Sequence, residues 1–396
     1  MNLVVLDLYH RGHHRSYIEM LCQFWVESDR AGALTVLVNR SFVQAHPEFT
    51  SWVESNITRG LRIETLPESC EIETSAGIRG LAIADKAHEK ALIEALQFSP
   101  DHILCMFLDH AQLAIRRLDR LLNGVSVSGI LFRPTLHEPT SSIKSTLTRF
   151  RKRFILKRAI QSRCFHSLFS LDPAAVESMN GLTSRSVACW LPDGTIFQEP
   201  DVTPAELRSE LGIGPDKNVL LLFGALSAHK GVHVTLAALG QMSPEVAERT
   251  ALVLAGNIEP GERESIVGLI EKAKQHCQVV HIDGFVTEAR MTALFNMSDI
   301  VLAPYQYHIG SSGVLIRAAQ ASKPVIGSDF GMVGRTIKQY RLGISVDSSS
   351  AQEVGRGIEL MLESGWGNSN SDGAQREFAE MNSSSHFAKC IFERLG

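Results

Sequence analysis

Short apolar runs alternate with helix-length amphipathic segments along almost the whole chain, and this rhythm constrains the fold more than any other feature. Runs of four to six apolar residues are long enough for a buried strand and too short for a core helix. The first set reads as strands at Leu3–Leu8, Leu34–Val38, Ile103–Leu108, Ser128–Phe132 and Ser167–Leu171. A second set follows at Val219–Phe223, Leu252–Ala255, Val279–Ile282, Ile300–Ala303 and Pro324–Gly327. Strands that are apolar on both faces and separated by helices predict parallel sheets covered on both sides. With 396 residues, two such sheets are expected, in two doubly wound domains. A ligand cleft is expected at the carboxyl ends of their strands.

The chain between the two sets is more polar. FQEPDVTPAELRSELGIGPDKN, residues 197–218, carries prolines and acids around one short helical piece and reads as a linker. The expected organisation is a first domain over 1–196, the linker 197–218, a second domain over 219–365, and a last amphipathic segment, 374–396, after the polar stretch GWGNSNSDG.

Composition narrows the function. Apolar residues make up 44% of the chain and charged residues 21%, which excludes a disordered or fibrous protein. A net charge of −4 excludes nucleic-acid binding by bulk charge. Seven scattered cysteines without a CxxC pair fit neither a disulfide framework nor a zinc site. The N-terminal MNLVVLDLYHRGHH lacks the basic and long apolar regions of a signal peptide, and no window reaches the length of a membrane span. The expectation is a cytoplasmic protein.

The most informative region is LFNMSDIVLAPYQYHIGSSGVLIRAAQASKPVIGSDFG, residues 294–331. A buried strand runs into a loop, and Gly310-Ser311-Ser312-Gly313 opens an amphipathic helix. Glycines and small hydroxyls at a helix start leave N–H groups facing outward, a geometry suited to an anion. Taken alone, the same turn is a common serine N-cap. Upstream, LLLFGALSAHKGVHVTLAAL places a strand, a turn at Gly224 and then His229-Lys230-Gly231 before a helix. VLAGNIEPG and VVHIDGFVTEARMTALFNMSDIVLAPY lie between them.

In this order the motifs resemble the C-terminal domain of GT-B fold glycosyltransferases, in particular the retaining family 4, over residues 200–365. Arg133-Pro-Thr-Leu-His137 follows a strand as that family's interdomain histidine does, and Leu191-Pro192-Asp193-Gly194 resembles the turn closing its first domain. The resemblance implies two Rossmann-like domains facing a central cleft. It also implies a nucleotide-diphosphate sugar as co-substrate on the second domain, with no other cofactor, and a hydroxyl acceptor (glycan, lipid-linked or small molecule) on the first.

Role by role, the resemblance places Lys230 on the diphosphate, with the N–H groups of Gly310, Ser311, Ser312 and Gly313 around it. Gly224 forms the turn before the lysine. Gly284, Phe285 and Val286 match the loop that meets the nucleobase. His137 matches the histidine against the donor sugar. Gly12, His13 and His14 fall in the loop near the acceptor, and Asp109 and His110 follow another strand on that side. Transfer with retention then needs no metal, because the departing phosphate takes the acceptor's proton.

Three positions, in two motifs, depart from the pattern. The family's E-x7-E signature would place glutamates at 309 and 317, where this chain has Ile309 and Arg317, and the arginine five residues before the lysine is Ala225. Arginine cannot accept the ribose hydrogen bonds that a glutamate accepts. Either Arg317 or His308 takes over phosphate or sugar contacts, or the chain binds sugar nucleotides or a partner without turnover.

Residues 139–171 hold eight basic side chains and no acid. Within them Ile143, Leu147, Phe150 and Phe154 recur at helical spacing. Over 143–163 this fits an interfacial helix on an anionic membrane, and it equally fits a core helix with a solvated basic face.

Overall fold

The computed structural model describes residues 1–10, 14–72, 78–132, 143–364 and 372–396. The chain forms two compact units, residues 1–194 with 384–396, and residues 195–383.

The first unit holds β1 (Asn2–Asp7), β2 (Ala33–Val38), β3 (Leu61–Thr65), β4 (His102–Cys105), β5 (Ser126–Leu131), β6 (Phe165–Ser170) and β7 (Ala188–Trp190). They pair in the order β3-β2-β1-β4-β5-β6-β7, and every pairing is parallel. The second unit holds β8 (Asn218–Phe223), β9 (Thr250–Ala255), β10 (Gln278–Ile282), β11 (Ile300–Ala303), β12 (Val325–Ser328) and β13 (Gly343–Val346). Its order is β10-β9-β8-β11-β12-β13, again all parallel. In each sheet the winding reverses once, between β1 and β4 and between β8 and β11. Crevices form at the carboxyl side of such reversals.

Strand periodicity explains why the central runs are continuously apolar. In β8, Val219 and Leu221 enter one core with Val253 and Val301, while Leu220 and Leu222 enter the core on the opposite face with Leu252 and Leu302. Both faces are dry, so every position needs an apolar side chain. All ten expected strands form. The three that escaped detection, β3, β7 and β13, are all edge strands and are only partly buried. An edge has a wet side, so LRIET and GISV never build an apolar run.

Two expectations about the connections need correction. Residues 197–218 are not a tether between domains, since they fold into the second unit. Thr203 and Glu206 form a reciprocal capping box on the helix Pro204–Glu210, whose Leu207 is buried in the core. Arg208 reaches Asp299 at 2.9 Å. The terminal segment is likewise two helices that part at Asn382 and Ser383. Asp372–Met381 packs on the helix Gly313–Gln320 in the second unit. Ser384–Leu395 packs on the helix His14–Glu27 in the first.

The basic segment forms the helix Ile143–Ile160. Leu156, Ala159 and Ile160 face the core, whereas Leu147, Phe150 and Phe154 stand 69%, 68% and 56% exposed. The apolar stripe visible in the sequence is thus the outer one.

Candidate functional site

The second unit gathers its candidate residues at the carboxyl ends of β8 and β11. Past β8 the chain turns at Gly224, and past β9 at Gly256, whose φ is +134°. A Cβ at Gly256 would lie 2.0 Å from the Gly224 carbonyl oxygen, so only glycine lets these two turns touch. The Ala228 N–H donates to Glu262 at 2.6 Å, which fixes the following loop.

That loop delivers Lys230 onto the ring of Tyr305, with Nζ 4.1 Å from the ring centre. The two loops are fastened to each other in several places. Gln306 N–H donates to the His229 carbonyl at 2.9 Å. Gly231, at φ +77°, lets Pro304 approach where a Cβ would come within 2.2 Å of its carbonyl oxygen. His308 Nε2–H donates to the Ser311 carbonyl at 2.9 Å, which leaves Nδ1 to accept from His229 Nε2–H at 3.3 Å. Burial, aided by the charges of Lys230 and His229, pushes the His308 pKa down and keeps this ring neutral.

Tyr305 is buried, and its hydroxyl shares a 3.0 Å hydrogen bond with Ser312 Oγ. Ser312 is the N-cap of the helix Gly313–Gln320, but its hydroxyl makes no capping bond. The helix start therefore presents first-turn N–H groups without a side-chain cap and without an acid. A lysine, a neutral histidine and helix-start N–H groups are together suited to an anion with several oxygens.

Other candidates fall elsewhere. Gly284, Phe285 and Val286 follow the edge strand β10, and Phe285 is 86% exposed. Their rim is continuous with the lysine loop, because Gly256 N–H donates to the Ile282 carbonyl at 2.9 Å and Gly224 N–H to the Ala255 carbonyl at 3.0 Å. Arg317 is engaged by other partners. It donates to Glu288 at 2.6 Å and to the Ile196 carbonyl at 3.3 Å. The residues that sequence reasoning missed are Tyr305, His229 and Glu288. Tyr305 and His229 sat inside quoted motifs with no spacing rule to single them out, and Glu288 is visible only as the first residue of a helix capped by Thr287.

In the first unit, Gly12, His13 and His137 lie outside the described residues. His14, Asp109 and His110 lie at the carboxyl ends of β1 and β4. His14 Nδ1 donates to the buried Asp7 at 2.6 Å. Tyr9, whose phenol is held protonated by burial and by the charges of Asp7 and Asp109, donates to His110 Nδ1 at 2.5 Å. Asp109 accepts the Phe132 N–H at 2.9 Å and so ties the ends of β4 and β5 together. Phe107 and Phe132 flank the His14 ring, with ring centres 5.6 and 6.1 Å away. Among the described residues no group of three His, Cys, Asp or Glu side chains is placed to hold a metal ion, and no helix is long and apolar enough to cross a membrane.

Residues 204–378 match the family model of glycosyl transferases group 1. An uncharacterized glycosyltransferase of Methanocaldococcus jannaschii is 28% identical over 162 residues, which is 40% of this chain and 39% of that protein. The match thus spans about two-fifths of this curated relative. Two solved structures align over nearly the whole chain at 15% identity. Anabaena HepE in complex with UDP and glucose gives a TM-score of 0.66 over 100% of this chain and 99% of that one. Sucrose-phosphate synthase of Thermosynechococcus elongatus gives 0.72 over 99% and 97%. The fold is the GT-B fold.

Proposed function

We propose that this homologue of the group 1 glycosyl transferases moves a sugar from a nucleotide-diphosphate donor to a hydroxyl acceptor, with retention at the anomeric carbon and without a metal, in glycan or glycoconjugate synthesis. The observation that carries the reading is Lys230, braced over Tyr305 beside an uncapped helix start in a matched glycosyl transferase segment. Departure of a nucleoside diphosphate builds negative charge on its bridging oxygen, and a fixed cation with helix N–H groups lowers the cost of that charge. Gly310, Ser311 and Ser312 line this receptor, and Gly284–Val286 takes the base through main-chain groups. A donor carrying UDP fits the similarity to HepE, which is solved with UDP and glucose.

Arg317 does not replace the missing glutamate on the ribose. It pairs with Glu288 instead. Acceptors meet the first unit at His14 and His110, with His137 against the donor sugar. The basic helix with Leu147, Phe150 and Phe154 exposed rests on an anionic bilayer at the cytoplasmic face. The seven cysteines, none of them in a disulfide, accord with that compartment.

The test is turnover of UDP-, GDP- and ADP-sugars by the purified protein in the presence of EDTA, with the product anomer read by NMR. Retention with at least one donor is expected, and Lys230→Ala should lower kcat/KM by roughly 100-fold or more, the size of effect seen when one transition-state donor is lost. Nucleotide binding without turnover of any donor would establish the second reading, a binding relative without catalysis, which the acid-to-arginine change at 317 favours. Sedimentation with phosphatidylglycerol vesicles tests the bilayer contact, and equal partition to phosphatidylcholine vesicles would refute it.

A further inference from the structure

A cavity in the first unit borders His110, the residue read above as meeting the acceptor, and reaches beyond it. It measures about 360 Å³ and opens between the helices Ile78–Ala95, Gln112–Leu118 and Ile143–Ile160, at the turn that follows β4. We propose that this cavity, walled by Leu81, Phe107, His110, Leu113, Arg151 and Ile155, takes an aliphatic chain that carries a phosphate monoester, and that an amphiphile of this kind bearing a free hydroxyl is the class of acceptor. The cavity stands independently as a binding site, and only the word acceptor rests on the glycosyl-transfer reading.

Three observations carry it. First, the volume falls in the range of small-molecule sites, and most of the wall is aliphatic or aromatic. Leu81 and Leu113 remain 47% and 41% exposed, although the neighbouring Ala114, Ile115 and Leu118 already satisfy the core. Two half-exposed leucines facing one cavity mark a surface that gains from an apolar occupant.

Second, one cation of the wall has no partner of its own among the described residues. Asp85 is engaged from the other side, accepting from Arg117 at 2.7 Å, a cation it shares with Glu89, and from the Ala114 N–H at 2.9 Å. Asp109 accepts the Phe132 N–H. Arg151 is bound to nothing among the described residues, and Lys152 stands beside it on the same wall. A guanidinium beside an apolar slot favours a phosphate over a neutral sugar, since a neutral occupant would desolvate the cation without pairing it.

Third, the exposed Leu147, Phe150 and Phe154 share the helix of Arg151 and Lys152. A chain too long for the cavity thus meets an apolar surface beside its mouth. At the other end lie Phe107 and His110, at the carboxyl end of β4, where doubly wound units receive ligands.

The probe is dodecyl phosphate below its micelle concentration, titrated calorimetrically, against inorganic phosphate and an uncharged dodecyl glycoside. The expected result is saturable one-to-one binding of dodecyl phosphate alone. Arg151→Ala should weaken it at least 10-fold and Arg151→Lys less, while Leu113→Glu should abolish it. Leu113 is half-exposed, so that variant is expected to fold, and its melting curve checks this. A bilayer headgroup offers the same chemistry from another source, and Phe150→Ser with Phe154→Ser separates the two. That pair should reduce sedimentation with phosphatidylglycerol vesicles yet leave the dodecyl phosphate Kd within twofold. Equal binding of the uncharged glycoside, or unchanged affinity in both Arg151→Ala and Leu113→Glu, overturns the proposal. If dodecyl phosphate binds as expected but the unsubstituted protein turns over no donor, the cavity stands and the glycosyl-transfer reading falls.

Discussion

Single residues carry three of the sharper consequences. Gly256→Ala must place a Cβ 2.0 Å from the Gly224 oxygen at a φ of +134°, so it should unfold or displace the lysine loop. A loss of about 3 kcal/mol or more in urea unfolding is expected, combining backbone strain with the clash. Tyr305→Phe keeps the ring under Lys230 and deletes one hydrogen bond to Ser312. It should cost about 1 kcal/mol in the same assay and leave the lysine in place.

The third consequence is pH dependence in the first unit. Burial holds the pKa of His88 and of His102 down at about 4. In the unfolded chain both titrate near ~6.5, so as pH falls the unfolded state takes up protons first. Stability should be undiminished above ~6.5 and fall by about 1.4 kcal/mol per pH unit per histidine down to about 4. Urea unfolding at pH 7, 6 and 5 reads this slope, and His88→Leu should remove about 1.4 kcal/mol per pH unit of it.

At the scale of elements, helix ends and helix faces carry the expectations. Thr203→Ala removes the capping box of Pro204–Glu210 and should cost about 1 kcal/mol, measured as a shift in the unfolding of the second unit. In the basic helix the inner and outer apolar residues should respond oppositely. Leu156→Ala empties a core position and should cost about 2–5 kcal/mol, whereas Phe150→Ser at an exposed position should stay within about 0.5 kcal/mol. Equal costs at the two sites would contradict the orientation of the helix.

The same elements show how much of the structure was legible beforehand. Central strands announce themselves because both of their faces are dry, and Val219–Phe223 has no room for a polar residue. The edge strands Leu61–Thr65 and Gly343–Val346 lack that signature because pairing, not burial, defines them. Outer Phe150 and inner Leu156 lie on one amphipathic helix, and only packing tells which face the core takes. In the candidate site, Lys230 and the glycine-serine turn were visible through spacing. Tyr305 beneath the lysine was not, because a contact between two loops has no period. Either Arg317 or His308 was expected on phosphate or sugar, and the Arg317 fork pairs with Glu288, a residue 29 positions away in sequence.

For the whole molecule, the decisive fact is that each unit has its own core but the chain does not complete them in order. Phe387, Ile391 and Phe392 are fully buried in the first unit, where Phe392 stacks on Phe24 at 5.4 Å and Phe387 packs on Tyr17 at 4.7 Å. Removing residues 384–396 strips three large side chains from that core, each worth about 2–5 kcal/mol, against a total stability of about 5–15 kcal/mol for a domain. Hydrogen exchange should then show loss of protection over β1–β7 and unchanged protection over β8–β13. Uniform loss across both sheets would contradict the division into two units.

The two places where the chain passes between units are neighbours, since Thr195 pairs with Ser383 and its N–H donates to the Asn382 carbonyl at 3.2 Å. Residues 195–383 are therefore an insertion with adjacent ends, a cassette that one short join could remove or exchange. On the ribosome this inverts the order of maturation. The unit whose strands β1–β7 are made first must wait, open along the helix His14–Glu27, while the inserted one is made and closed, and only the helix Ser384–Leu395, made after the insertion, lets it finish.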